Sequence, residues 1–226
     1  LPEMVPYVSG FKIESRYVPR GDVGGDFYDF HTNGNGDLTA IIADVTGHGI
    51  QAAMVGAMLK VAFWGAMENF KSHSELLKGM NRIFRNRAKS QFVSAACLHL
   101  NYEEGILTFS RAGHPPLLFW NAGEKKIMEL MPRGKMLGWL DSVEYEEVKL
   151  SIKTGDRMVL LTDGVVECRN KQNELFGENR VRRLMIDEAD CNGADFLSIL
   201  FSELNGWRGA DVPMEDDAAA VIVDVM

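Results

Sequence analysis

The spacing of apolar residues changes along the chain, and each change marks a new element. Phe11–Val18 alternates apolar and polar residues and reads as a strand. A Gly-rich turn over 19–25 leads into a strand edge at Asp26–His31, then a short Asn/Gly loop over 32–36 and a strand over Asp37–Asp44. Two strands joined by so short a loop run antiparallel. From Gly49 to about Phe70 the period becomes helical, with Ile50, Met54, Ala57, Met58, Val61 and Ala62 as the apolar stripe. The methionines of this helix, Met54, Met58 and Met67, read as core packing. A second helix is predicted over Ser74–Lys89, with Ser74 as its N-cap and Leu76, Leu77, Met80, Ile83 and Phe84 on one side.

Strands then dominate: Phe92–Leu100, Ile106–Ala112, Pro116–Trp120, Lys126–Leu130 and roughly Glu144–Ile152. Arg157–Thr162 is almost continuously apolar, which predicts a central strand. Helices follow at Glu178–Glu188 and Gly193–Asn205, and a last strand at Ala218–Val225. This order lacks the strict alternation of a parallel doubly wound fold. Hairpin-like connections favour antiparallel sheets, and the apolar helices need a sheet to pack on. The expected architecture is an α+β fold, a sandwich of two antiparallel sheets flanked by helices.

No repeat or low-complexity segment divides the chain. Residues 10–226 read as one domain, and residues 1–9, with two prolines, as a linker remnant. The chain opens on Leu1 and reads as a piece of a longer protein with something upstream removed.

Composition narrows the chemistry. The 226 residues are 46% hydrophobic and 25% charged, enough for a sizeable core. The net charge of −8 and the absence of a basic stripe argue against a nucleic-acid partner. Cys97, Cys168 and Cys191 are scattered and form no C-x-x-C pair, so neither a zinc knuckle nor a redox motif is present. That pattern fits reduced thiols in the cytoplasm. No signal peptide is seen, and no apolar run approaches the ~18 residues of a bilayer span. The sequence also lacks a P-loop and a G-x-S-x-G elbow.

Four separated places set a carboxylate beside glycine or at a strand end. They are Gly24-Gly25-Asp26, Asp44 before Thr46-Gly47, Asp163-Gly164, and Glu215-Asp216-Asp217 before the last strand. Taken singly, an Asp-Gly pair is also a common turn, and Asp216-Asp217 also reads as a solvated loop. Asp44 closes a strand just before a tight turn and a helix start, a place suited to a metal ion or a phosphate. The acidic partners decide for metal, since they repel a bare phosphate. Buried together, such carboxylates repel one another, and divalent cations resolve that cost. Oxygen donors favour Mg2+ or Mn2+ over zinc.

GGDFYDF, ADVTGHG, AGHPP, LLTDGVVE and the terminal EDDAAAVIV occur in that order. Together they resemble the PPM-type (protein phosphatase 2C-like) serine/threonine phosphatases, in the bacterial SpoIIE/RsbU branch. The matches run from about residue 10 to the C-terminus. The resemblance implies an αββα sandwich with two Mn2+ or Mg2+ ions between the sheets. It implies hydrolysis of phosphoserine or phosphothreonine on a protein by metal-activated water, without a phosphoenzyme. It further implies a phosphorylated STAS-domain anti-anti-sigma factor as substrate and an upstream sensor or receiver domain. A homodimer is compatible with it.

Carried over residue by residue, Asp44 resembles the carboxylate that bridges both ions. Val45 sits where the family uses a backbone carbonyl. Asp26 resembles the acidic ligand of the first ion, and Asp163 and Asp216 those of the second. Asp217 falls where it supports the site or a third ion, and Asp29 where it backs the ligands. Two departures stand out. The family's terminal motif often reads Asp-Asp-x-Thr, whereas this chain has Asp216-Asp217-Ala218-Ala219 and loses a hydroxyl there. The eukaryotic branch also uses a phosphate-binding arginine and a histidine acid. The arginine motif is missing, and His48 falls two residues past the histidine's place, so leaving-group protonation stays unassigned. His48 is read as supporting the turn or helix start, and His114 as holding the Pro-Pro turn. The competing functions are a pseudophosphatase that binds a phosphoprotein without chemistry and, less favoured, a two-metal nuclease or nucleotide hydrolase.

Overall fold

The computed structural model describes residues 1–33, 36–47, 49–67, 72–85 and 91–226. The strands of one sheet are β1 (Phe11–Val18), β10 (Ala218–Val225), β9 (Arg157–Leu161), β6 (Leu117–Asn121) and β7 (Lys126–Leu130), in that spatial order. Those of the other are β2 (Phe27–Thr32), β3 (Leu38–Val45), β4 (Val93–Asn101), β5 (Ile106–Ala112) and β8 (Glu147–Ser151). All neighbouring pairs are antiparallel, including the hairpin of β2 and β3, and β9 is central in its sheet as the sequence predicts.

The two-residue period of each strand sorts its side chains between layers. In β3, Leu38, Ala40 and Ile42 enter the core between the sheets, where they share a cluster with Leu160 and Val221 of the other sheet. Ile41, Ala43 and Val45 face the opposite way, against α1 (Ile50–Met67) and α2 (His73–Phe84). On the far side, Val159 and Leu161 of β9 pack with α4 (Glu178–Asp187) and α5 (Gly193–Arg208). The result is the expected αββα layering. Val8, inside the stretch read as linker, is buried in the core between the sheets, and Val5 packs against that core.

α1 corrects two expectations. It buries Ala52, Val55, Leu59, Ala62, Phe63 and Met67, and leaves Ile50, Met54 and Val61 exposed. A helix that is apolar all round offers no single stripe to the reader, so the sheet selects the face. Leu59 and Phe63, fully buried, contribute about 1.5–3 kcal/mol each. α1 is also long and apolar enough, by length and composition, to cross a membrane. In the fold it lies along the second sheet, where Trp64 Nε1 donates to Asp29 Oδ2 at 2.9 Å and Lys60 pairs with the same oxygen at 3.5 Å. The N-cap of α2 is Ser72, whose Oγ accepts from the Glu75 N–H at 3.2 Å; Ser74 lies two positions further on, inside the helix. The predicted end of that helix, over 86–89, falls outside the described residues, as does the tip of the Asn/Gly loop.

Beneath the start of α2, His73 stacks on His99 of β4, with ring centroids 4.6 Å apart, and Thr39 Oγ1 lies 3.1 Å from His99 Nδ1. Burial pushes His73 down to about 4, with His99 and Lys149 adding and Glu147 opposing; burial also lowers His99, against Asp37 and Glu104. The unfolded chain therefore takes up protons first as pH falls. This stabilisation is complete above about pH 6.5 and is lost toward pH 4, at up to about 1.4 kcal/mol per pH unit for each histidine. Relative to the wild type, the urea midpoint of His73→Gln is expected to rise as pH falls from 7 to 5, because only the wild type carries the His73 loss, whereas the raised Asp26, Asp44 and Asp163 act in the opposite direction in both proteins. A difference between the two proteins that does not change with pH would exclude His73 as a source.

Candidate metal centre

Strand alternation carries past the last core residues to one end of the sandwich. Asp44 has the parity of Ala40 and Ile42, so it faces the space between the sheets, beside Ser94 of β4. Asp26, at the start of β2, is buried and accepts a hydrogen bond of 2.6 Å from Thr162 Oγ1. Thr162 follows β9 with the parity of Met158 and Leu160, and its Oγ1 also accepts from the Ala219 N–H of β10 at 2.8 Å. One hydroxyl thus joins the edge of one sheet to two strands of the other.

Asp217 fastens the glycine loop. Its carboxylate accepts from the N–H of Gly25 at 2.6 Å and of Arg20 at 2.8 Å. A Cβ on Gly24 would stand 2.2 Å from both carboxylate oxygens of Asp217, so only glycine permits the approach. Asp163 opens the one-turn helix α3 (Asp163–Val166). Gly164 presses on the next strand: a Cβ there would lie 1.8 Å from the Asp217 carbonyl oxygen. Asp216 is exposed and accepts from the Asp217 N–H at 2.9 Å. Asp163 and Asp216 line a cavity of about 210 Å³ together with Glu167 and Arg169. The Val45 side chain sits in the helix layer, while its carbonyl oxygen is 3.0 Å from where a Cβ of Gly25 would be.

The electrostatics are those of crowded acid. Burial raises Asp26 well above the usual carboxylate range, and Asp44, Asp217 and Asp163 raise it further against the Thr162 hydrogen bond. Burial pushes Asp44 up to about 7, reinforced by Asp163 and Asp216 and opposed by a hydrogen bond with Asp26. Asp163 is raised by burial and then by Asp216 and Glu167. The charges acting most on Asp26 and Asp44 belong to other aspartates. The Tyr17 phenol is raised too, by burial and by Asp217.

The predicted residues therefore fall into three groups. Asp26, Asp44, Asp163, Asp216 and Asp217 converge at one end of the sandwich, close enough that the charges of the others act on Asp26 and Asp44. Among the described residues, no group of three or more His, Cys, Asp or Glu side chains is already placed to hold a metal ion. Asp217 is turned to the loop amides and Asp26 to Thr162. Asp29 is the exception. Three residues from Asp26 along β2, it points to the other face of the sheet, where it holds Trp64 and Lys60, so it does not back the ligands. His48 lies outside the described residues. His114 is buried, with Nδ1 2.8 Å from Ser94 Oγ and its carbonyl accepting from Arg111, as expected of a turn support.

Thr162 and Tyr17 escaped the sequence reading. Thr162 was legible, since alternation through 157–162 points it between the sheets. It also places a hydroxyl against Ala219, where the terminal motif lacks its own. The donor chemistry suits hard divalent cations: carboxylate and carbonyl oxygens meet at this end, and the charges acting most on Asp26 and Asp44 are those of other aspartates, with Arg169 lining the cavity of Asp163 and Asp216.

Residues 34–226 match the profile of the family described as Stage II sporulation protein E (SpoIIE), and the chain belongs to that family. It is 28% identical over 221 residues to phosphoserine phosphatase RsbU of Bacillus subtilis (strain 168), across 97% of this chain. It spans 64% of the length of RsbU. Its fold is that of the SiaA-PP2C domain of Pseudomonas aeruginosa, with a TM-score of 0.84, 21% identity, and coverage of 94% of this chain and 85% of that one. It also resembles RsbX, solved in complex with magnesium, with a TM-score of 0.73, 14% identity, and coverage of 99% of both chains. These two likenesses are of fold.

Gly164→Ala is expected to destabilise the protein by about 1–3 kcal/mol, the usual cost of overpacking, because the new methyl meets backbone rather than a movable side chain. Urea denaturation measures this. An unchanged midpoint would show that α3 and Asp217 are not packed as described.

Proposed function

We propose that the chain is a metal-dependent protein serine/threonine phosphatase. The observation that carries this reading is the convergence of Asp26, Asp44, Asp163 and Asp216 at one end of the sandwich, where the charges acting most on Asp26 and Asp44 are those of other aspartates. Four chain segments bring acid to one place, where Arg169 lines the cavity of Asp163 and Asp216, and such an excess of acid favours bound metal over a structural ion pair. The name of RsbU, phosphoserine phosphatase, supports the reaction class.

In this reading Asp44 would serve both of two Mn2+ or Mg2+ ions. Asp26 and the Val45 carbonyl would help hold the first, and Asp163 and Asp216 the second. When bound, such a pair supplies a hydroxide from water near neutral pH and a clamp for phosphoryl oxygens. The chain's own residues set the frame. Thr162 orients Asp26, and Asp217 fixes the Gly24–Gly25 loop over the site. Gly164 lets α3 bring Asp163 to the same end. The substrate we assign is a phosphorylated STAS-domain protein, with an upstream sensor or receiver domain as regulator and residues 10–226 as the catalytic unit. The pseudophosphatase alternative rested on the hydroxyl missing beside Asp216, and Thr162 weakens it by supplying a hydroxyl there.

With Mn2+ the protein is expected to release phosphate from a phosphoserine STAS-domain protein. Asp44→Asn should lower kcat/KM by roughly a hundredfold or more, equivalent to about 3 kcal/mol of transition-state stabilisation, while its circular dichroism is kept. Full turnover in chelator, or in the variant, would overturn the assignment.

A further inference from the structure

The end of the sandwich that carries the carboxylates also carries an exposed aromatic surface. Val93 pairs with Val45 one residue beyond Asp44, and the chain just before it is tied to the turn after Asp44. The Thr46 N–H donates to the Phe92 carbonyl at 3.0 Å, and Thr46 Oγ1 accepts from the Phe92 N–H at 2.9 Å. The Phe92 ring lies 5.0 Å from that of Trp139, at 31°. Trp139 is 52% exposed and Leu140 46%.

The loop that bears them is held rigid. Asn81 of α2, itself buried, accepts from the Gly138 N–H at 2.8 Å and donates to the Leu140 carbonyl at 3.1 Å. The Leu137 N–H donates to the Val93 carbonyl at 2.9 Å, and Gly138 takes a positive φ of 81° against Phe84. A buried asparagine is thus spent on keeping a half-exposed tryptophan in place. Pre-ordered aromatic groups lose little entropy on binding and are the usual anchors of protein interfaces.

We propose that Phe92 and Trp139 form the docking platform for an apolar residue beside the phosphorylated residue of the protein substrate. This deepens the phosphatase reading and rests on it. A phosphate is the same on every phosphoprotein, so discrimination needs a neighbouring contact. The chain's net charge of −8 offers a phosphoprotein little long-range attraction away from the ions proposed at the site, and those ions read only the phosphate. A rigid apolar contact fixed to the turn after Asp44 supplies the missing affinity at the right place.

The test uses three compounds with Mn2+: p-nitrophenyl phosphate and two phosphoserine peptides of equal length. One peptide has leucine on both sides of the phosphoserine and the other has glycine. The wild type is expected to favour the leucine peptide in kcat/KM by about tenfold, Trp139→Phe to keep most of that preference, and Trp139→Ala to lose it. The ratio of leucine-peptide to p-nitrophenyl phosphate kcat/KM should fall by a similar factor in Trp139→Ala. A wild type that hydrolyses p-nitrophenyl phosphate but does not distinguish the peptides overturns the platform alone. So does a preference that survives Trp139→Ala, or an equal loss on all three compounds. A change confined to sedimentation would make the patch an interface between copies and would also overturn it. A wild type that hydrolyses none of the three overturns the phosphatase reading itself.

Discussion

The mutual repulsion of aspartates between two sheets is the constraint around which this molecule is arranged. Asp26 and Asp44 are drawn from neighbouring strands of one sheet, and Asp163 and Asp216 from the ends of two strands of the other. Burial raises the cost of ionising Asp26, Asp44 and Asp163, and their acidic neighbours raise it further. The surrounding sequence serves to hold them together regardless. Thr162 ties Asp26 across the gap between the sheets, and Asp217 pins the glycine loop through two amides. At Gly24 and Gly164 the backbone approaches closer than any side chain allows. A fold that concentrates acid in this way trades stability for an acidic site, which the proposed divalent cations would complete.

The layered core makes that concentration tolerable. The helices on both outer faces leave the strands apolar on each side, so the sheets are stable along most of their length. Only at the strand ends does the pattern give way to polar groups. The site therefore occupies the one place where the backbone is both fixed by sheet pairing and free to turn. The aromatic platform belongs to the same end, because Phe92 precedes the strand that pairs with Asp44's own.

Much of this was legible in the sequence. Strand boundaries and the antiparallel hairpin followed from alternation and turn residues, and the central position of 157–162 from its unbroken apolar run. The acid motifs marked the site because glycine and aspartate at strand ends are a local signal. What escaped was decided by facing. Asp29 lies in the same motif as Asp26 but three residues on, and the pleat turns it to α1. The stripe of α1 was misassigned because an all-apolar helix carries no preferred face. Ser72 rather than Ser74 caps α2 because its hydroxyl is the one that reaches the Glu75 N–H, a geometry the apolar pattern does not encode. Thr162 was overlooked because it reads as the end of a strand, and its role exists only across the gap between sheets.

The stoichiometry of Mn2+ binding, measured by isothermal titration calorimetry, bears most directly on the role of the acidic cluster. Two ions per chain are expected for the wild type and fewer than two for Asp44→Asn. Failure of the wild type to bind Mn2+, or an unchanged stoichiometry in the variant, would contradict a bridging role for Asp44 and leave the gathering of aspartates without a physical cause.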